Sequence, residues 1–228
     1  MKPKILFLID TLGFLEISSI PILSALAKKK GHEVQFAEFG RNPKRALRKI
    51  ESFCPDIVAY SICSNEARNY LEINRFLKKR FNFYSLFGGA HPTFFPRFIK
   101  EEGVDAICRG EADRVFVQFL EFFGRDKMFE VNNFSFKMPD GTYIENPLDD
   151  LVENLSELPF PDRGILYENS RYHAKNPIKY FFAGRGCPYN CSYCFNHSYN
   201  ALYHGKGRIL RTKSVTYLLN EIKDTARK

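Results

Sequence analysis

Apolar residues in this chain come in short unbroken blocks, and between the blocks they recur every three or four positions. The blocks "KILFLID" (Lys4 to Asp10), "EVQFAEF", "DIVAYSI", "FYSLFGG" and "VDAICRGE" read as buried strands. The first intervening segment places Ile20, Leu23, Leu26 and Ala27 on one helical face and ends at Gly31. The second, "NPKRALRKIESF", starts with Asn42 as a cap and Pro43 at the first helical position. The third is "EARNYLEINRFLKKRF". Strand and helix patterns that alternate in this way predict an α/β fold, a flavodoxin- or Rossmann-like doubly wound parallel sheet of five strands within residues 1–125.

The alternation stops after residue 125. "NFSFKMPDGTYIEN" reads as a hairpin turning at Pro139, Asp140 and Gly141, and "LSELPFPDR" is a Pro-punctuated segment of the kind that joins domains. Residues 126–177 are therefore expected to be a hairpin and linker. A further strand, "IKYFFAGRG", opens residues 178–228, and "SVTYLLNEIKDTARK" follows as a helix capped by Ser214.

Composition narrows the class. Hydrophobic residues are 44% of the 228, enough for a substantial core. The net charge of +8 is spread along the helices rather than gathered in one block, which argues against a nucleic-acid surface. Asp10 interrupts the N-terminal apolar run, and no run approaches the ~20 residues of a membrane span. The chain reads as cytoplasmic, where thiols stay reduced, so its six cysteines are expected as metal ligands or core residues. Cys54, Cys63 and Cys108 stand alone in apolar surroundings and are expected to be buried.

In open parallel sheets, ligands settle beyond the carboxyl ends of the strands. The residues there are Thr11 to Gly13, Ser61 to Ser64, Gly88 to Thr93, and Gly110 with Glu111. The pair Gly88 and Gly89 either lets a flat ligand approach the backbone or serves a tight turn. His91, before Pro92, reads as a turn residue.

The pieces "IPILSALAKKKGHEV", "PDIVAYSICS", "GGAHPTFFP" and "GVDAICRGEAD" together resemble the cobalamin-binding domain that precedes the catalytic domain in cobalamin-dependent radical S-adenosylmethionine enzymes. The resemblance covers roughly residues 3 to 125 and implies a corrinoid across the carboxyl edge of the sheet, touching Ser61, Gly88, Gly89 and Gly110. One departure stands out. The Asp-x-His-x-x-Gly loop that donates a cobalt-ligating histidine in related mutases is absent, since "DTLGFLE" holds no histidine. Any cobalamin would lack a lower ligand from that loop.

Within "GRGCPYNCSYCFNHSYN", Cys187, Cys191 and Cys194 form a Cys-x3-Cys-x2-Cys set. Three thiolates from one loop can hold three irons of a [4Fe-4S] cluster and leave the fourth open. Zinc is the rival, with His197 completing a Cys3His set and His204 nearby. The short spacing to His197 and the strand-loop-helix setting favour the cluster. This loop resembles that of radical S-adenosylmethionine enzymes, in which the open iron chelates S-adenosyl-L-methionine and an electron cleaves its sulfonium bond to give a 5′-deoxyadenosyl radical. The resemblance places Tyr193 near the adenine and gives Gly184 and Gly186 the task of folding the loop around the cluster.

A β/α repeat with its crossover uses roughly 30 residues, so residues 178–228 hold only the first unit of a partial TIM-like barrel. The expectation is an N-terminal portion of a longer enzyme, by resemblance a methyltransferase acting on a small-molecule substrate, with an external electron donor such as flavodoxin or ferredoxin. The alternative is a stand-alone corrinoid-binding or sensing module whose cysteine loop is vestigial or holds zinc.

Overall fold

The structure is a computed structural model and describes residues 2–227. Five strands and five helices alternate first: β1 (Ile5–Ile9), α1 (Ser19–Lys29), β2 (Val34–Glu38), α2 (Pro43–Phe53), β3 (Ile57–Ser61), α3 (Ala67–Lys78), β4 (Tyr84–Gly88), α4 (Ala90–Phe94), β5 (Ala106–Cys108) and α5 (Val115–Phe122). The strands pair in parallel in the order β2-β1-β3-β4-β5. This is the doubly wound arrangement read from the sequence, with its switch point between β1 and β3.

The physical cause is visible in β1. All five of its residues are buried. Ile5, Phe7 and Ile9 face one core with α1 and α5, whereas Leu6 and Leu8 face the other with α2 and α3. A strand covered on both faces needs apolar residues at every position, which is why the blocks are continuous rather than alternating. Local chemistry sets the helix ends as expected: the Asn42 side chain accepts from the Arg45 amide at 3.0 Å, Pro43 opens α2, and Gly31 follows α1 with φ +80°.

The sheet is larger than five strands. β6 (Phe134–Lys137) pairs antiparallel with β5, and β7 (Tyr143–Glu145) pairs with β6, giving seven strands in all. Phe134 and Phe136 share the face of β6 that enters the α1/α5 core, and Phe134 stacks on Phe119 at 4.7 Å. The Asp140 carboxylate accepts from the Thr142 amide and hydroxyl at 2.9 and 2.6 Å, fixing the turn.

Beyond the sheet lie α6 (Gly164–Tyr167), α7 (Arg171–Lys175), β8 (Gly184–Arg185), α8 (Asn196–Leu202), β9 (Arg211–Thr212) and α9 (Val215–Ala226). Ser214 caps α9 by accepting from the Tyr217 amide at 3.1 Å. The strand expected over residues 178–186 forms only at Gly184 and Arg185, antiparallel to β9. Ile178 and Phe182 are 63% and 56% exposed, so the apolar run has no sheet to enter. Among the described residues, the ladder of this segment is the two-residue antiparallel β8–β9 pair, followed by α9.

The lone cysteines divide. Cys108 is buried in β5, and burial pushes its thiol pKa up to about 12. Cys54 and Cys63 are exposed, against expectation. Cys54 occupies the left-handed residue that ends α2, and Cys63 follows the carboxyl end of β3, where the chain leaves the sheet.

Candidate functional site

A cavity of about 520 Å³ opens beyond the carboxyl ends of β1, β3, β4 and β5. Phe7, Ala59, Leu86 and Cys108 on the sheet, with Phe116 of α5, make its floor. Tyr180, Phe182, Arg185, Phe195, Tyr199 and Tyr217, from the last fifty or so residues of the chain, make its roof. The two halves of the wall are far apart in sequence, and the fold brings them face to face.

Ser61, Gly88, Gly89 and Gly110 all line this cavity. The two paired glycines do different work. A Cβ on Gly88 would meet nothing nearer than the carbonyl oxygens of Cys108 and Tyr60, both at 3.8 Å, so the backbone is open to a ligand there. Gly89 has φ +97° and ψ −167°, a region essentially confined to glycine, and a Cβ would stand 2.7 Å from the Ile62 backbone. Gly89 serves the turn. Gly110 has φ +70°, and the Tyr203 hydroxyl fills the space its side chain would need. That hydroxyl accepts from the Glu111 amide at 2.8 Å, and burial raises its pKa to about 12. His91 packs its ring on Phe95 and bonds the Ser64 hydroxyl at 3.0 Å through Nδ1, which fits a turn residue.

Acidic and basic groups on the wall are bonded to one another. Arg163 donates to Glu16, Lys213 donates to Glu221 at 2.6 Å, and the Tyr167 hydroxyl donates to Glu16 at 3.0 Å. At the other end, Arg185 forks onto Asp113 and Arg211 forks onto Glu111. Burial opposes the charge on Arg185, but the carboxylates of Asp113 and Glu111 outweigh it and raise its pKa. With these charges paired, the remaining surface is mostly apolar. Among the described residues, no histidine lines the cavity.

Cys187, Cys191 and Cys194 lie in the loop between β8 and α8, each partly buried, with the Cys194 amide donating to the Cys191 carbonyl at 3.1 Å. They share the loop but do not line the cavity. Among the described residues, no three His, Cys, Asp or Glu side chains converge as a metal site. The donor set still fits iron and sulfide, because three partly accessible thiols with no disulfide partner sit in one short loop. His197 and His204 are exposed, and Tyr193 is 91% exposed. The link from loop to cavity is Phe195: it follows Cys194, lines the cavity, and meets Phe94 at 6.0 Å between ring centroids.

Arg185, Arg211 and Tyr203 escaped the sequence reading. Each acts through a partner dozens of positions away, and no local pattern marks it. The acidic residues that hold them, Glu111 and Asp113, did carry a signal, standing just past an apolar strand.

Residues 13–120 match the family model of the B12 binding domain. The chain carries a B12-binding domain. Its cavity lies at the edge of this domain, with the later residues closing over it. Among curated relatives, the uncharacterized methyltransferase PH0819 of Pyrococcus horikoshii is 27% identical over 150 residues, covering 64% of this chain and 32% of that protein. The anaerobic magnesium-protoporphyrin IX monomethyl ester cyclase of Rubrivivax gelatinosus is 31% identical over 159 residues, covering 64% of this chain and 28% of that protein. The chain spans about a third of the length of these relatives.

Among solved structures, the cobalamin-dependent S-adenosylmethionine radical enzyme OxsB, with aqua-cobalamin and S-adenosylmethionine bound, superposes with a TM-score of 0.76 at 21% identity. The match covers 99% of this chain and 32% of that one. The radical S-adenosylmethionine methyltransferase TsrM from Kitasatospora setae, with cobalamin and a [4Fe-4S] cluster bound, gives 0.69 at 13% identity over 100% of this chain and 46% of that one. These likenesses show the α/β fold of the chain. No helix among the described residues is long and apolar enough to cross a membrane.

Proposed function

We propose that this chain is the cobalamin-binding portion of a radical S-adenosylmethionine enzyme, with methyl transfer to a small-molecule substrate as its reaction class. The reading rests on one observation: the cavity at the carboxyl edge of the B12-binding domain is roofed by Phe195, the neighbour of Cys194. Ser61 and Gly88 would face the corrinoid, and Cys187, Cys191 and Cys194 would hold a [4Fe-4S] cluster at the same mouth. When bound, the cluster supplies the electron that cleaves S-adenosyl-L-methionine, and cobalamin supplies a carrier for the methyl group. This chain's own residues bind. Phe7, Ala59 and Leu86 offer an apolar floor, and among the described residues the acids and bases of the wall are paired with one another. The loop after β1 holds no histidine, so it would offer a corrinoid no imidazole. An external one-electron donor such as flavodoxin or ferredoxin would serve the exposed side of the cysteine loop.

The test is anaerobic reconstitution with iron and sulfide. The wild-type chain is expected to turn brown and retain iron, and the triple variant Cys187→Ala, Cys191→Ala, Cys194→Ala to retain none. Replacing Cys54 and Cys63 should change nothing. A colourless wild-type protein carrying zinc, or iron retained by the triple variant, overturns the cluster reading.

A further inference from the structure

β8 and β9 are two residues each, and their ladder sets Arg185 directly opposite Arg211. Two like charges facing each other across a pair of strands repel, and so short an isolated ribbon does not hold itself together in water. The ribbon nevertheless forms, because two carboxylates from the loop between β5 and α5 meet it. Arg185 donates to both oxygens of Asp113 at 2.6 and 3.0 Å, and Arg211 to both oxygens of Glu111 at 2.8 and 2.7 Å. Arg185 also stands 3.5 Å from Glu111, so the four groups form one alternating row, Asp113–Arg185–Glu111–Arg211. Asp113 is 5% exposed and the Arg211 side chain 1%, and planar two-point contacts of this kind fix orientation as well as distance. Tyr203, seated over Gly110, pins the chain between the two strands to the same loop.

Cys187 is two residues beyond Arg185. We propose that Glu111 and Asp113 are positioning residues: they let the Arg185–Arg211 ribbon form and thereby hold the cysteine loop at the mouth of the cavity. The inference rests on reading the three cysteines as cluster ligands, but its mechanical core, the dependence of the ribbon on two carboxylates, stands apart from any cofactor.

The experiment has two arms on the full chain. In the first, amide hydrogen exchange compares wild type with Asp113→Asn and with Glu111→Gln plus Asp113→Asn. Exchange across residues 184–212 is expected to speed up at least about tenfold in the double variant, with β1 and β3 unchanged. The exchanged pair Asp113→Arg with Arg185→Asp should restore protection. In the second arm, the proteins are reconstituted and reduced. The electron paramagnetic resonance line shape of the cluster is expected to broaden in Asp113→Asn at equal iron content. Unchanged exchange across residues 184–212 in the double variant overturns the proposal, as does protection lost in Asp113→Asn and not regained by the swap. Should wild type take up no iron, the cluster reading falls and the exchange arm alone decides the clamp. If a variant fails to fold, shown by lost protection in β1, the swap and the single Glu111→Gln variant carry the decision.

Discussion

The sheet and the segment after residue 178 use similar residues to opposite effect. In the sheet, Phe134 and Phe136 are fully buried and stack on one another at 5.6 Å. In the later segment, Phe182, Phe195, Val215 and Leu219 are all more than half exposed. Aromatic and aliphatic content alone does not make a core; a repeating ladder must bring the residues to one face. The later segment is therefore held by specific polar joints, the Arg185–Asp113 and Arg211–Glu111 pairs and the Arg163–Glu221 contact, and by one small apolar cluster in which Tyr199, Leu202 and Ile209 pack around Tyr203, Leu148 and Leu151.

The largest expected contrast comes from deleting one ring on each side. Phe136→Ala should cost about 3–5 kcal/mol in denaturant unfolding, because the cavity it leaves lies in a dense aromatic cluster. Phe182→Ala should stay within about 0.5 kcal/mol. Equal losses would show that the later segment is packed as firmly as the sheet.

A smaller contrast separates the two glycines at the cavity. Gly89→Ala should cost about 1–3 kcal/mol, since alanine must adopt a glycine-only backbone conformation against the Ile62 backbone. Gly88→Val should leave the unfolding midpoint within a few degrees while weakening corrinoid binding, read by absorption titration, at least about tenfold. Undiminished binding by Gly88→Val would remove the sheet edge as the ligand face.

The smallest effect is in pH. Burial lowers the pKa of His91, beside β4, and of His173, in α7. The unfolded chain therefore binds protons that the folded chain declines, and stability should fall as pH drops below about 6.5 toward the lowered folded values. Melting points at pH 7 and pH 5 are expected to differ by at most a few degrees from this source, and His173→Gln should flatten part of the slope. A stability that rises toward pH 5 in the wild type and is unaffected by that substitution would refute the assignment.

Much of the fold was legible because its cause is local. The continuous apolar block Ile5–Ile9 announces a strand covered on both faces, and Asn42-Pro43 announces a helix start. The hairpin turn at Asp140 and Gly141 was legible for the same reason, but its partner was not. "FSF" says that Phe134 and Phe136 share a buried face, and nothing in those letters names β5 as the neighbour. The error over residues 178–186 has the same root: apolar alternation describes a strand only if a ladder is available. At the site, the cysteine spacing and the edge glycines were visible, while the joints were not. Arg211 lies 100 positions from Glu111, and Arg185 72 from Asp113. Only the fold brings them together.

The hairpin also gives the sheet a safe ending. Ala106, Ile107 and Cys108 of β5 are all buried; as a terminal strand they would offer a row of unpaired amides and carbonyls on an apolar ribbon. β6 takes up that row, and β7 closes it with a strand of three residues whose tip is charged and covered: Arg109 reaches Glu145 at 2.5 Å, and the Lys100 ammonium lies 4.8 Å from the Tyr143 ring centre. A fragment cut at residue 125 would lose both strands and bare the sticky edge, so copies would pair with one another and precipitate. A fragment cut after Asn146 keeps the guard in place, and it is this longer piece that should stay in solution as single molecules.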